Sequence, residues 1–175
     1  MRFVEKAIVR AGLGDVLRAR REGNIEKVRA SVDAWRGADL LALGAVADLI
    51  RDEEMGDTVV IHRPEEGNGV TWIDAAASDL DVLRAVAVAR IVGERGARIG
   101  VDWTRHGLEL AQVALGFGAS DLRGAITRRS GLPILDEESR KVKGQGSVPL
   151  ASIRNAEIVA LVRHAGRVPE EAAHA

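Results

Sequence analysis

Residues 107–126 read GLELAQVALGFGASDLRGAI. Leu108, Ala111 and Leu115 recur at helical spacing, and Val113 broadens the apolar stripe. Ala and Leu lose least on entering a helix. Gly116 and Gly118 then give the chain the conformational freedom to leave it. The stretch predicts a helix with a glycine stop and with Ala111, Leu115 and Phe117 buried. Ser120 and Asp121 read as polar punctuation before a short segment at 122–126. This is a strong structural signal with little chemistry in it.

The pattern continues upstream. Residues 98–103 (RIGVDW) read as a strand, and residues 80–93 as a helix that Ser78 caps together with Asp81. Residues 70–73 (VTWI) are another strand. Strand, helix, strand, helix over 70–116 make a βαβα unit, which favours a parallel sheet with a right-handed crossover. The β-branched run 58–62 (TVVIH) is a strand that Pro64 stops. Asn68-Gly69 permits a hairpin between the strands at 58–62 and 70–73, and non-adjacent strands fit equally well.

Further towards the N-terminus, Asp39 caps a helix from 40 to about 54, and Asn24 caps one over 25–35 that ends at Gly37. Gly12 and Gly14 split residues 1–22 into two short helices. Downstream, 141–147 reads as a loop, 149–164 as a helix and 169–175 as a polar tail. The expectation is a helix-rich α/β fold with a small, partly parallel sheet. Residues 1–175 form one domain: a helical lead-in at 1–37, a core at 38–126, and a loop and terminal helix at 127–175.

Composition removes several classes of function. The net charge of −1 gives no electrostatic drive toward nucleic acid or an anionic membrane. Aromatics amount to Phe3, Phe117, Trp35, Trp72 and Trp103, too few for a base-stacking platform. The chain has no cysteine, which excludes disulfides, thiolate nucleophiles, Cys-ligated zinc and Cys-ligated iron–sulfur clusters. No apolar run approaches the ~18 residues of a membrane span. The opening MRFVEKAIVRAGLGD is too charged for a secretory core. A cytoplasmic protein is expected.

The candidate ligand-binding residues are His62, Trp72, Asp102, Trp103 and His106. Asp102, Trp103 and His106 stand where a strand enters a helix, the edge at which parallel α/β folds bind ligands. His62 ends another strand, and histidine readily moves protons near neutral pH. The commoner explanation is structural: Asp102 and His106 cap or flank the following helix. Arg18, Arg20 and Arg21 fit a solvated helix face, and Glu65-Glu66 fits an exposed turn. The loop with Lys141 and Lys143 lacks phosphate-loop spacing. Ser130 and Ser147 have no partner at a triad spacing.

Two stretches carry a family resemblance. Residues 38–61 (ADLLALGAVADLIRDEEMGDTVVI) and 79–126 resemble the radical S-adenosylmethionine enzymes of the futalosine route to menaquinone, of the aminofutalosine synthase and dehypoxanthine futalosine cyclase type. In the family, the first stretch is the helix leading into the first barrel strand. The second is similar to the closing segment, in which an AQLAL-like helix precedes FGADDLDG. Residues 161–169 (LVRHAGRVP) are similar to the family's LIREAGREP. The resemblance implies a remnant of a (βα) barrel.

The departures from the family are chemical. Members carry CxxxCxxC after the first strand, where this chain has HRPEEGNG at 62–69. Residues 62–78 stand in place of most of the barrel. Ser120 and Arg123 replace acids of the family motif. These differences lead to the expectation of a non-catalytic homologue without a cofactor. It would bind a small molecule or a partner enzyme linked to menaquinone biosynthesis, and it would pair as a homodimer that covers exposed strand edges. The alternative is an enzyme, a lyase or hydrolase, with new His/Asp-based chemistry.

Overall fold

The computed structural model describes residues 3–74, 77–127, 132–133, 139–142, 145–149 and 153–172. In chain order the elements are α1 (Phe3–Arg10), α2 (Gly14–Arg21), α3 (Ile25–Ala30), α4 (Val32–Trp35), α5 (Leu40–Met55), β1 (Thr58–His62), β2 (Val70–Ile73), α6 (Asp79–Val92), β3 (Arg98–Asp102), α7 (Trp103–His106) and α8 (Leu108–Ala114). A 3₁₀ turn (Leu115–Phe117) leads to β4 (Asp121–Arg123). Then come β5 (Ile126–Thr127), β6 (Leu132–Pro133), β7 (Ser139–Val142), β8 (Gly146–Pro149), β9 (Ile153–Arg154), α9 (Asn155–His164) and β10 (Val168–Glu171).

The main sheet has the order β10-β1-β4-β3-β2, and every pairing in it is parallel. The fold is therefore α/β, with a sheet more uniformly parallel than expected. β1 and β2 do not form a hairpin. They run parallel, with β4 and β3 between them, so residues 63–69 return across the sheet and Asn68-Gly69 is part of that crossing.

Local chemistry explains most boundaries. The Asn24 side chain accepts from Lys27 N–H at 3.1 Å, and that of Asp39 from Ala42 N–H at 2.9 Å. Ser78 Oγ donates to the Asp81 carboxylate at 2.7 Å and accepts from Asp81 N–H at 3.3 Å. The helix expected over 25–35 is broken at Ser31, whose hydroxyl turns back to the carbonyls of Lys27 and Val28. Gly118, at φ 96°, is the left-handed residue that ends the α8 region.

Four expectations change downstream. Asp121 is not punctuation: it opens β4 and is fully buried. The loop expected at 141–147 is an antiparallel pair, β7 with β8, in which Lys141 faces Ser147; residues 143 and 144 lie outside the described residues. The terminal helix starts at Asn155 rather than 149, because 146–149 pair with β7 and Ile153–Arg154 pair with β5. The expected tail supplies β10, hydrogen-bonded beside β1. Ser130 and residues 173–175 lie outside the described residues.

Strand alternation gives the sheet two unlike faces. Val59, Ile61, Ile99, Val101 and Leu122 join the apolar core, against which α5, α6 and α8 pack. Ala111, Leu115 and Phe117 are buried there as expected, whereas Val113 is 48% exposed on the outer side of its helix. Arg20 is buried rather than solvated, in an ion pair with Glu54 at 2.8 Å. Arg90 is also buried. It donates to Gly118 O at 2.8 Å, to Ser120 Oγ at 3.0 Å and to Ala97 O, tying α6 to the entry of β4. Burial pushes the Arg90 guanidinium down to about 10, so it stays charged at neutral pH.

The closest helix packing is at Gly44, where a Cβ would stand 2.7 Å from the Phe117 ring. Gly44→Ala should therefore cost stability, by roughly 1–3 kcal/mol from overpacking less a helix-propensity gain of ~1 kcal/mol. Gly116→Ala, with open space around it, should not. Urea denaturation of the two variants checks the difference.

Candidate functional site

The second face of the sheet is polar. Parallel register aligns Val60, Asp121, Gly100 and Trp72 in one row, and His62, Arg123 and Asp102 in the next. Gly100 contributes no side chain, and the Trp72 indole fills the space: a Cβ at Gly100 would stand 2.3 Å from Trp72 Cζ3. The indole therefore lies across β3. The His62 ring meets it edge-on, at 5.6 Å between centroids and an interplanar angle of 88°. The Arg123 guanidinium sits 4.2 Å over the indole centroid, a cation–π contact. Arg123 also donates to Asp102 at 3.0 Å and to Asp74 at 3.2 Å.

Asp121 is the buried charge of this face. His62 Nε2 lies 2.7 Å from its Oδ1, Ser120 Oγ donates to its Oδ2 at 2.8 Å, and Arg98 donates to both oxygens. Burial would push the Asp121 carboxyl up. The hydrogen bonds from His62, Arg98 and Ser120, with the charge of Arg98, outweigh burial and hold it below the usual carboxylate range. Ionised Asp121 only accepts, so His62 Nε2 carries a proton toward it. Arg98 Nη2 lies 3.0 Å from the same Nε2, and both nitrogens aim hydrogens at one carboxylate oxygen.

The other ring nitrogen, Nδ1, is buried without a hydrogen-bond partner among the described residues. His62 is 2% exposed, and Nδ1 lies against Gly67 in the segment that recrosses the sheet, where a Cβ would come within 3.4 Å. Gly67 adopts φ 91° there, a left-handed conformation that suits glycine, and its carbonyl accepts from Trp72 Nε1 at 3.3 Å and from Val70 N–H at 3.2 Å. His62 and Gly67 form part of the wall of a cavity of about 550 Å³, together with Glu65, Glu66, Arg98 and Glu170. A neighbouring cavity of about 460 Å³ opens at the carboxyl ends of β1 and β10 and contains Arg63, Thr127 and Arg154. Glu66 and Glu171 border both.

The five expected residues separate into two groups. His62 and Trp72 are in contact, and Arg123 links Asp102 to them. Asp102 also caps α7, accepting from Thr104 N–H at 2.9 Å. Trp103 is a core residue, 1% exposed and packed so closely on Gly124 that a Cβ there would stand 2.3 Å away. His106 bonds the Ile73 carbonyl at 2.9 Å and fastens α7 to β2, away from the cavity.

Asp121, Ser120, Arg98 and Arg123 were missed. The signal was the alternation Arg98-x-Gly100-x-Asp102 and Asp121-x-Arg123, polar at every second position of a strand. No group of three or more histidine and acidic side chains is arranged to hold a metal among the described residues. With no cysteine in the chain, thiolate ligation of an iron–sulfur cluster is not available to it.

Because the Asp121 pKa is lower in the folded than in the unfolded chain, its stabilisation is complete above the ordinary value of 3.8 and is lost as pH falls below it. Asp121→Asn should lower stability at pH 7 by on the order of 2 kcal/mol, since His62 and Arg98 lose a charged acceptor. It should also flatten the decline of stability between about pH 4 and pH 2. Denaturant titrations of both proteins across that range test this.

No protein-family model matches the chain, and none of the curated proteins matches it.

Proposed function

We infer that the protein is a non-catalytic homologue of the radical S-adenosylmethionine enzymes of menaquinone synthesis, and that it binds a small molecule on the polar face of its sheet. The observation that carries the binding reading is the buried, unpartnered Nδ1 of His62 in the wall of the larger cavity. A buried polar atom without a partner costs about 1–3 kcal/mol, and a ligand donor would remove that cost. Trp72 and Arg123 add a flat apolar surface and a charge beside it.

Strand order supports the ancestry. The resembling stretches at 38–61 and 79–126 supply α5–β1 and α6–β3–α8–β4, and β1 lies beside β4. A closed βα barrel sets its first strand beside its last in this way. All five strands are parallel, with α5, α6 and α8 behind one face and charged side chains on the other. β10 takes the position next to β1 that a second barrel strand would hold. Menaquinone synthesis follows from the resemblance, and adjacency of the gene to futalosine-pathway genes would bear on it directly. A quinone-pathway enzyme is the partner this reading implies.

A second reading, a lyase or hydrolase using the His62–Asp121 pair, is favoured by that pair's 2.7 Å contact, which orients an imidazole for proton transfer. Against it, no side-chain hydroxyl is hydrogen-bonded to His62 among the described residues.

Among the described residues the outer strands β2 and β10 each have one unpaired edge, and Phe3 and Leu41 are 85% and 73% exposed, which supports a homodimer. Light scattering should give a dimer mass, and a single monomer mass overturns it.

Binding itself is tested by a thermal-shift screen of anionic, neutral and cationic metabolites against wild type and Trp72→Ala. A true ligand at 100 times its Kd should stabilise wild type by about 2.7 kcal/mol and Trp72→Ala much less. Absence of stabilisation by every charge class overturns the reading.

A further inference from the structure

We propose that the cavity beside His62 takes a small organic cation, a primary amine or guanidinium compound, with His62 Nδ1 as an acceptor buried in its wall and the carboxylates of Glu65 and Glu170 at its mouth. The proposal rests on the small-molecule reading above and specifies the ligand's chemistry.

Charge in the cavity wall is one-sided. Among the described residues that line it, Glu65, Glu66, Glu170 and Glu171 are acidic, and the one guanidinium, that of Arg98, is committed to Asp121. Glu66 accepts from Arg63 N–H at 2.9 Å, and Glu171 accepts from the Asn155 amide. The carboxylates of Glu65 and Glu170 make no hydrogen bond or ion pair among the described residues. The carboxylates stand on two separate pieces of backbone, the recrossing segment and β10, which meet across the cavity. Glu65 is held there with φ 68°, the one described non-glycine residue in the left-handed region. Like charges gathered around a concave surface raise the local concentration of the opposite charge.

Acidic residues alone would attract any cation. His62 narrows the class, independently of them. Its Nε2–H is directed at Asp121, so in the neutral imidazole Nδ1 is an acceptor, and no donor among the described residues reaches it. The complement is a ligand with an N–H donor to satisfy Nδ1 and a positive charge for the carboxylates. A dicarboxylate meets neither demand, and an uncharged alcohol can meet only the first. A bare divalent metal fits poorly, since no three ligating side chains converge among the described residues. Nδ1 lies beside Gly67, whose carbonyl is fixed in the cavity wall by two hydrogen bonds.

Isothermal titration calorimetry with putrescine and agmatine, set against succinate, butane-1,4-diol and zinc ion, tests the charge class on one carbon length. The amines should bind and the diol and succinate should not. Binding should weaken as salt rises. E65Q/E170Q should weaken it roughly tenfold, and because both residues are exposed, folding should be unaffected. In histidine-labelled protein the ¹⁵N resonance of His62 Nδ1 should move on amine binding, as a lone-pair nitrogen does when it accepts a hydrogen bond.

Preferential binding of succinate or the diol, or tight binding of zinc alone, overturns the cation proposal and leaves small-molecule binding standing. Amine binding that leaves the His62 resonance and the E65Q/E170Q affinity unchanged overturns it as well. Failure of all these probes together with the wider metabolite screen brings down both readings.

Discussion

A carboxylate with no access to water governs the polar half of this molecule. Asp121 is fully buried, so its charge has to be met by the protein itself. Its donors come from three places: His62 at the end of β1, Arg98 at the start of β3, and Ser120 beside it. One buried charge thereby sets the relative positions of three adjacent strands. Ser120 extends the requirement into the helical layer. Its hydroxyl donates to Asp121 while accepting from Arg90 and from Ile99 N–H. The chain Arg90–Ser120–Asp121–His62 connects the inner face of α6 to the cavity wall.

The aromatic and glycine positions answer a different constraint, that of space. Trp72 can lie on β3 only because residue 100 lacks a side chain, and Phe117 can approach α5 only because residue 44 does. The first contact shapes the polar face, and the second closes the core behind it. Between them the sheet is sandwiched by chemistries that do not mix: aliphatic side chains against α5, α6 and α8, and ions and an indole on the other side. Residues 63–69 cross the polar side with left-handed glycines at 67 and 69, and so cover it without a helix.

Much of the fold was legible in the sequence. Helix caps at Asn24, Asp39 and Ser78, the β-branched run of β1 and the βα repeat over 70–116 each announce themselves through local chemistry. β4 did not, because three residues are too few for periodicity and its alternation was hidden behind glycine-rich flanks. β10 did not either. Val-Pro-Glu-Glu has no strand signature, and only the hydrogen bonds offered by the free edge of β1 make it one. The site was half legible for the same reason. His62 and Trp72 sit on strands readable from sequence, whereas Asp121 and Arg98 matter through neighbours 59 and 23 positions away. Trp103 and His106 looked chemical by residue type but serve packing and a strand–helix strap.

Stability alone does not account for the polar face. Replacing a buried ion pair by well-packed apolar side chains is often neutral or stabilising, so a sheet of this size has no energetic need for Asp121, Arg98 and a buried histidine. Nor does thiolate-based iron–sulfur chemistry account for it, since the chain has no cysteine to support such a cluster. What the arrangement does supply is a concave, charged surface held in register by backbone pairing, with His62 Nδ1 left without a partner among the described residues. The charges that fix the wall, Asp121 and Arg98, neutralise one another, and those at the mouth, Glu65 and Glu170, do not. The groups that hold the cavity wall in register are thus separate from the carboxylates that stay exposed at its mouth.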